Sequence, residues 1–141
     1  MTPPRWMALP RAAKGACRYC GGLVKPPRRS WCSQACVDEY MIRSSASTVR
    51  ARVYKRDRGV CALCGLDTGA LETGRVADLP VHGERYVDAG RALWEADHIV
   101  PVAEGGGSCG LDNYRTLCVW CHPRETGKLR RRLNAARREI P

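Results

Sequence analysis

The chain has 141 residues, nine cysteines, no phenylalanine and only 6% aromatics, too little apolar bulk to offset ordering entropy of about 1–2 kcal/mol per residue by burial alone. That excludes a large cofactor-binding sheet or a long helical bundle and calls for disulfides or metal as a staple; no apolar run nears the roughly 20 residues of a spanning helix. The formal charge of +10 points to an anionic partner, nucleic acid being the commonest: residues 1–60 carry +10, 61–110 carry −5 and 111–141 carry +5, an acidic middle between two basic flanks.

In chain order, residues 1–15 contain Pro3, Pro4 and Pro10 with no periodic apolar pattern and read as a disordered basic tail. They lack the apolar core of a signal peptide, so a reducing cytoplasm is the expected compartment. Residues 16–46 read as a first zinc module. A knuckle at Cys17–Cys20 leads through Gly21-Gly22 and Pro26-Pro27, as a loose hairpin, towards Trp31. Ser33 is a suitable N-cap for a helix to about Arg43, with Cys36 in its first turn.

Residues 47–141 read as a second unit. After the polar break Ser44–Ser47, Ser47 or Thr48 would cap a helix carrying Val49, Val53 and Tyr54 and ending by Gly59. Its other face holds Arg50, Arg52, Lys55, Arg56 and Arg58, either a solvated face or a phosphate-facing one. Residues 66–92 are Gly-rich and acidic, with His82 as an exposed loop residue and a short helix expected around Val87–Leu93. Trp94–Val102 alternates like a short hairpin with a turn at its centre. Gly105-Gly106-Gly107 reads as a flexible loop, and Leu111-Asp112-Asn113 as a helical turn. Tyr114–Leu117 is extended, and a final helix from near Cys121 carries Arg130, Arg131, Arg132, Arg137 and Arg138. Gly127 within it costs roughly 1 kcal/mol relative to Ala. Trp94 and Trp120 are candidates for the small core.

The cysteines are spaced for metal. Cys17/Cys20, Cys61/Cys64 and Cys118/Cys121 each bracket two residues, and Cys32/Cys36 bracket three. Such knuckles aim two thiolates at one tetrahedral zinc, and in a reducing compartment paired cysteines read as ligands rather than disulfides. Four pairs make two sites, Cys17, Cys20, Cys32 and Cys36, then Cys61, Cys64, Cys118 and Cys121. Cys109 is left over, an incidental thiol in a loop.

Three further groups suit phosphodiester hydrolysis: Asp97-His98, Asn113, and His122 directly after Cys121. A neutral imidazole has nearly the right pKa to take a proton from water, and a divalent cation would neutralise charge on the phosphate and the departing oxygen. Asp97 offers a hard oxygen ligand, His122 a second ligand from a rigid helix start, and Asn113 an amide to fix the loop and His98. Neighbours on a strand face opposite ways, so Asp97 and His98 would need a turn between them to reach one phosphate.

C-A-L-C-G, A-D-H-I-V-P-V, G-G-G, L-D-N and T-L-C-V-W-C-H, in that order over about residues 48–135, resemble the HNH endonuclease family. The preceding W-C-S-Q-A-C and V-Y-K-R-D-R-G-V-C-A-L-C-G are similar to the HNH domain fused to vertebrate annealing helicases and its bacterial relatives. The resemblance implies a small zinc-stapled α+β fold, a ββα-metal core of treble-clef type preceded by a treble-clef-like zinc finger. It also implies a DNA endonuclease leaving 5′-phosphate and 3′-hydroxyl ends, with His98 as general base and Asn113 as orienting residue. Asp97 and His122 would be ligands of one catalytic divalent ion, Mg²⁺ or alternatively Mn²⁺, Ni²⁺ or Zn²⁺. Arg115, Arg124 and Lys128, with Arg130, Arg131, Arg52 and Arg56, are expected to bind nucleic acid on charge and placement. No heptad or apolar seam argues for a dimer, so a monomer is expected. The rival class is a non-catalytic zinc module that binds nucleic acid or protein.

Overall fold

The computed structural model describes residues 12–72 and 91–138. The first eleven residues, His82 and most of the helix expected around 87–93 lie outside them. None of the described helices is long and apolar enough to cross a membrane.

Two knuckles repeat one backbone pattern. Cys17 N–H donates to the Gly22 carbonyl and Gly21 N–H to that of Cys17; Cys61 donates to Leu66 and Gly65 to Cys61 in the same way. Gly21 and Gly65 sit at φ +74° and +72°, a left-handed conformation that glycine adopts without a Cβ penalty. The loose hairpin of the first module is reduced to a single antiparallel bridge, Ala16 with Leu23. The path back towards Trp31 is held instead by a bond from Arg18 N–H to the Ser30 carbonyl.

Helix α1 spans Gln34–Ser44, and Ser33 Oγ accepts the Cys36 N–H at 3.2 Å, as the cap expectation required. Helix α2, Ala46–Asp57, starts two residues earlier than expected. Its N-cap is Ser45, whose Oγ accepts the Thr48 N–H, so one serine closes α1 and opens α2. Val49 and Val53 of α2 meet Ile42 of α1 and Trp94 in one apolar cluster, so α1, α2 and β1 share a core. A short helix α3, Thr68–Glu72, lies in the stretch that carried no readable pattern; Asp67 Oδ1 accepts the Ala70 N–H at its start.

The sheet corrects the hairpin expected within Trp94–Val102. Strand β1, Trp94–His98, pairs with β2, Tyr114–Cys118, antiparallel and in the register Trp94↔Cys118 to His98↔Tyr114. Val102–Glu104 instead forms a 3₁₀ turn. Alternation over Trp94–Val102 was therefore half strand and half loop, and the partner strand follows a second 3₁₀ turn at Leu111–Asn113. Trp94, Ala96 and Tyr114 pack on the α2 side. Leu117 faces a second cluster with Leu66, Leu71, Leu93 and the cysteines Cys61, Cys118 and Cys121, against which Trp120 also packs. Helix α4, Cys121–Arg138, leaves this cluster from its first residue and runs through Gly127 unbroken.

Candidate active site and metal centres

Each expected cysteine quartet comes together. The four Sγ atoms of Cys17, Cys20, Cys32 and Cys36 lie within 4.8 Å of one another, and so do those of Cys61, Cys64, Cys118 and Cys121. A zinc tetrahedron with Zn–S of about 2.3 Å has S···S edges of about 3.8 Å. Cys20–Cys32 at 3.5 Å, Cys32–Cys36 at 3.4 Å and Cys64–Cys118 at 3.7 Å are near that edge, so the donor sets fit zinc. Burial pushes the Cys17 thiol up, but backbone donors at Cys20, Cys32 and Tyr19 outweigh it and bring it down to about 6. Cys61 falls to about 7 against the same opposition, through donors at Cys118, Cys64 and Leu63. The sulfurs of Cys36, Cys20 and Cys17 push Cys32 up to about 12, the repulsion expected of crowded thiols that a cation would neutralise.

The second quartet also positions the chemistry. Cys118 ends β2 and Cys121 begins α4, so His122 is fixed in the first turn of a helix anchored by a buried cysteine. Across from it stands Asp97 of β1. His122 Nε2 and Asp97 Oδ1 are 3.8 Å apart. A cation with donors at about 2.0–2.2 Å can be shared by two atoms up to about 4.2 Å apart, so this pair fits one divalent ion.

The turn expected between Asp97 and His98 is absent, because both belong to β1. They nevertheless line one cleft of about 200 Å³, together with Arg115, Glu125 and Arg132 and an apolar wall of Ile99, Pro101, Val102 and Leu129. The strand ends at His98, and the residues that follow it, Ile99, Pro101 and Val102, belong to the same lining. The His98 ring lies 4.4 Å from that of Tyr114, and its Nε2 is buried without a hydrogen-bond partner among the described residues. Burial lowers the His98 pKa below 6.5, with Asp97 opposing. The Tyr114 phenol is pushed up to about 12 by burial and the neighbouring Cys109 thiol. Cys109 thus has a partner, which its reading as an incidental thiol omitted.

Asn113 reaches the backbone of the loop that follows His98. Its Oδ1 accepts the Val100 N–H at 2.8 Å, its Nδ2 donates to the carbonyls of Val100 and Gly106, and its own carbonyl accepts the Ile99 N–H. The amide fixes the loop, as expected, but no hydrogen bond joins it to the imidazole among the described residues.

The family model described as HNH endonuclease matches residues 82–128, the stretch that holds β1, β2 and the start of α4. Over 127 residues the chain is 35% identical to the DNA annealing helicase and endonuclease ZRANB3 of Mus musculus, and over 129 residues 33% identical to that of Homo sapiens. The chain belongs to the HNH endonuclease family. Each alignment covers 77% of this chain but only 12% of the relative, so the chain spans a small part of those proteins' length. The crystal structure of the human ZRANB3 HNH domain is 30% identical, covers 68% of this chain and 98% of that one, and superposes with a TM-score of 0.49.

Within this HNH site the basic residues divide. Arg52 pairs with Asp38 at 2.9 Å. Arg56 binds Asp57, whose carboxyl it holds below the usual range, and donates to the carbonyls of Leu111 and Tyr114 at 2.9 and 2.7 Å. Arg56 is therefore a brace between α2 and the Asn113 turn. Arg115 joins Asp97 and Glu125, and Lys128 pairs with Glu125. Arg124, Arg130 and Arg131 are exposed, and none of the ion pairs among the described residues uses them. Glu125 and Gly106 are the residues that sequence reasoning passed over. Glu125 had a usable signal, since it lies three residues after His122 on one helix face. Gly106 had none beyond its place in a glycine run.

Proposed function

We propose that the chain is a divalent-metal-dependent DNA endonuclease with one catalytic ion. The observation that carries this reading is the meeting of Asp97 and His122 at 3.8 Å, with Asp97 also lining a cleft shared with His98, in a chain of the HNH family. Asp97 Oδ1 and His122 Nε2 would hold the ion, which when bound supplies positive charge to the scissile phosphate and the departing oxygen. His98, neutral near pH 7 because burial disfavours its charged form, takes a proton from water as the water oxygen bonds to phosphorus. The P–O3′ bond breaks, the 3′ oxygen takes a proton from solvent, and 5′-phosphate and 3′-hydroxyl ends result. Asn113 keeps the His98 end of β1 and its loop in place.

In this reading both cysteine quartets hold structural zinc and the chain acts as a monomer in a reducing, cytoplasmic compartment. Arg124, Arg130 and Arg131 on α4, exposed and outside the ion pairs among the described residues, are free to meet phosphate. Arg52 is in an exposed pair worth about 0–1 kcal/mol, weak enough to be exchanged for DNA, and the exposed Lys128 also contributes positive charge to α4. The test is cleavage of plasmid, single-stranded, flapped and forked DNA with Mg²⁺, Mn²⁺ or Ni²⁺. Cutting of any of these that stops on chelation supports the reading. Tight DNA binding with no cutting under any of the ions makes the chain a non-catalytic zinc module.

A further inference from the structure

Arg115 looks, by charge and placement, like a phosphate contact, yet its guanidinium is already engaged on both sides. Its Nε donates to Asp97 Oδ2 at 3.0 Å and its Nη2 to Glu125 Oε2 at 3.2 Å. Glu125 in turn accepts from Lys128 Nζ through its other oxygen at 2.7 Å. The side chains of Asp97, Arg115 and Glu125 are each only about a fifth exposed (19, 21 and 23%). Three elements contribute: Asp97 from β1, its register partner Arg115 from β2, and Glu125 from α4, three residues beyond His122.

We propose that Arg115, held by Glu125, is a positioning residue that orients the Asp97 carboxylate towards the metal site, and that it does not itself grip the DNA backbone. This rests on Asp97 and His122 being the metal ligands. A carboxylate rotates about its last bond and can offer either oxygen or both to a cation. With Oδ2 accepting from Arg115, Oδ1 is the oxygen turned to His122 Nε2, so the carboxylate is held in one orientation towards the metal site. Glu125 prevents the guanidinium from swinging out to solvent, and the alternation Asp97, Arg115, Glu125, Lys128 leaves the row without net charge. A planar guanidinium suits this because it serves two carboxylates from fixed directions, whereas an ammonium is a point charge. Groups behind metal ligands typically change metal affinity by about 10–100-fold when removed.

The two roles of Arg115 are separable by titrating Mn²⁺ into the zinc-loaded full chain, without DNA, and by measuring DNA affinity against salt. In the wild type, Mn²⁺ binds and Asp97→Ala abolishes that binding; Mn²⁺ binding that is absent, or unchanged in Asp97→Ala, overturns the metal-site reading itself. Given that site, Arg115→Ala and Glu125→Ala are expected to weaken Mn²⁺ binding by about 10–100-fold. Glu125→Gln, which keeps an oxygen for Arg115, is expected to retain most of it. The salt slope of DNA affinity stays at its wild-type value in Arg115→Ala. Wild-type Mn²⁺ affinity in Arg115→Ala, or a slope reduced by about one unit as loss of a phosphate contact requires, overturns the positioning role. Should Arg115→Ala lose zinc, Arg115→Lys and Glu125→Ala carry the same comparison.

Discussion

Gly106 lies against Val100 so closely that a Cβ at 106 would stand 1.7 Å from the Val100 carbonyl oxygen and 2.9 Å from Asn113 Nδ2. The loop after β1 is therefore a packed turn, in which Asn113 binds both Val100 and Gly106 and keeps the end of the strand that bears His98. Gly106→Ala is expected to lower stability by about 1–3 kcal/mol, the range for overpacking, and to reduce cleavage more than DNA affinity. Denaturant unfolding and a cleavage assay check this; wild-type stability and rate would show that the loop accommodates the methyl group.

The loop marks where sequence reasoning ended. Local signals were legible because they are local: Ser33 as a cap, the two cysteine knuckles, and the start of α4 at Cys121. So were the quartets, since four spaced pairs leave few pairings that zinc can use. The strand pairing was not, because Trp94–Val102 alternates throughout although only its first half finds a partner. That partner, Tyr114–Cys118, is chosen by long-range contacts with α2 and the second cysteine cluster. The same limit hid the roles of the arginines. Arg56 and Arg115 read as surface cations until the fold brings Leu111, Asp97 and Glu125 to them.

Both quartets are expected to hold zinc, and elemental analysis should return two zincs per chain; one or none contradicts the assignment. Eight thiolates and two Zn²⁺ would bring the formal charge from +10 to about +6. Apparent zinc-binding energies of about 10–16 kcal/mol per structural site match or exceed the stability of a whole domain. Strong chelation should therefore abolish cooperative unfolding. Cys118→Ser is expected to disrupt the β1–β2 core, and Cys36→Ser the first module, each with loss of one zinc.

The pH profile should report His98. Its imidazole packs on Tyr114 of β2 and feels the charge of its strand neighbour Asp97, and it lines a cleft with Arg115, Glu125 and Arg132. Burial outweighs the Asp97 charge and lowers its pKa below 6.5. The unfolded chain then binds the proton first. Stability from this group is intact above pH 6.5 and lost as pH falls through the lowered value. The reactive neutral base follows the same direction, so the acid limb of kcat/KM at saturating metal is expected below pH 6.5. A limb at or above 6.5 would show that His98 is not the group being titrated.

If His98 takes the proton from the attacking water, His98→Ala removes that step alone, which shows when cleavage, zinc content and DNA affinity are measured on the same preparation. Cleavage is expected to fall by about 10²–10⁴-fold while two zincs and wild-type DNA affinity remain. Cleavage at the wild-type rate by a fully zinc-loaded His98→Ala chain would contradict that role of His98.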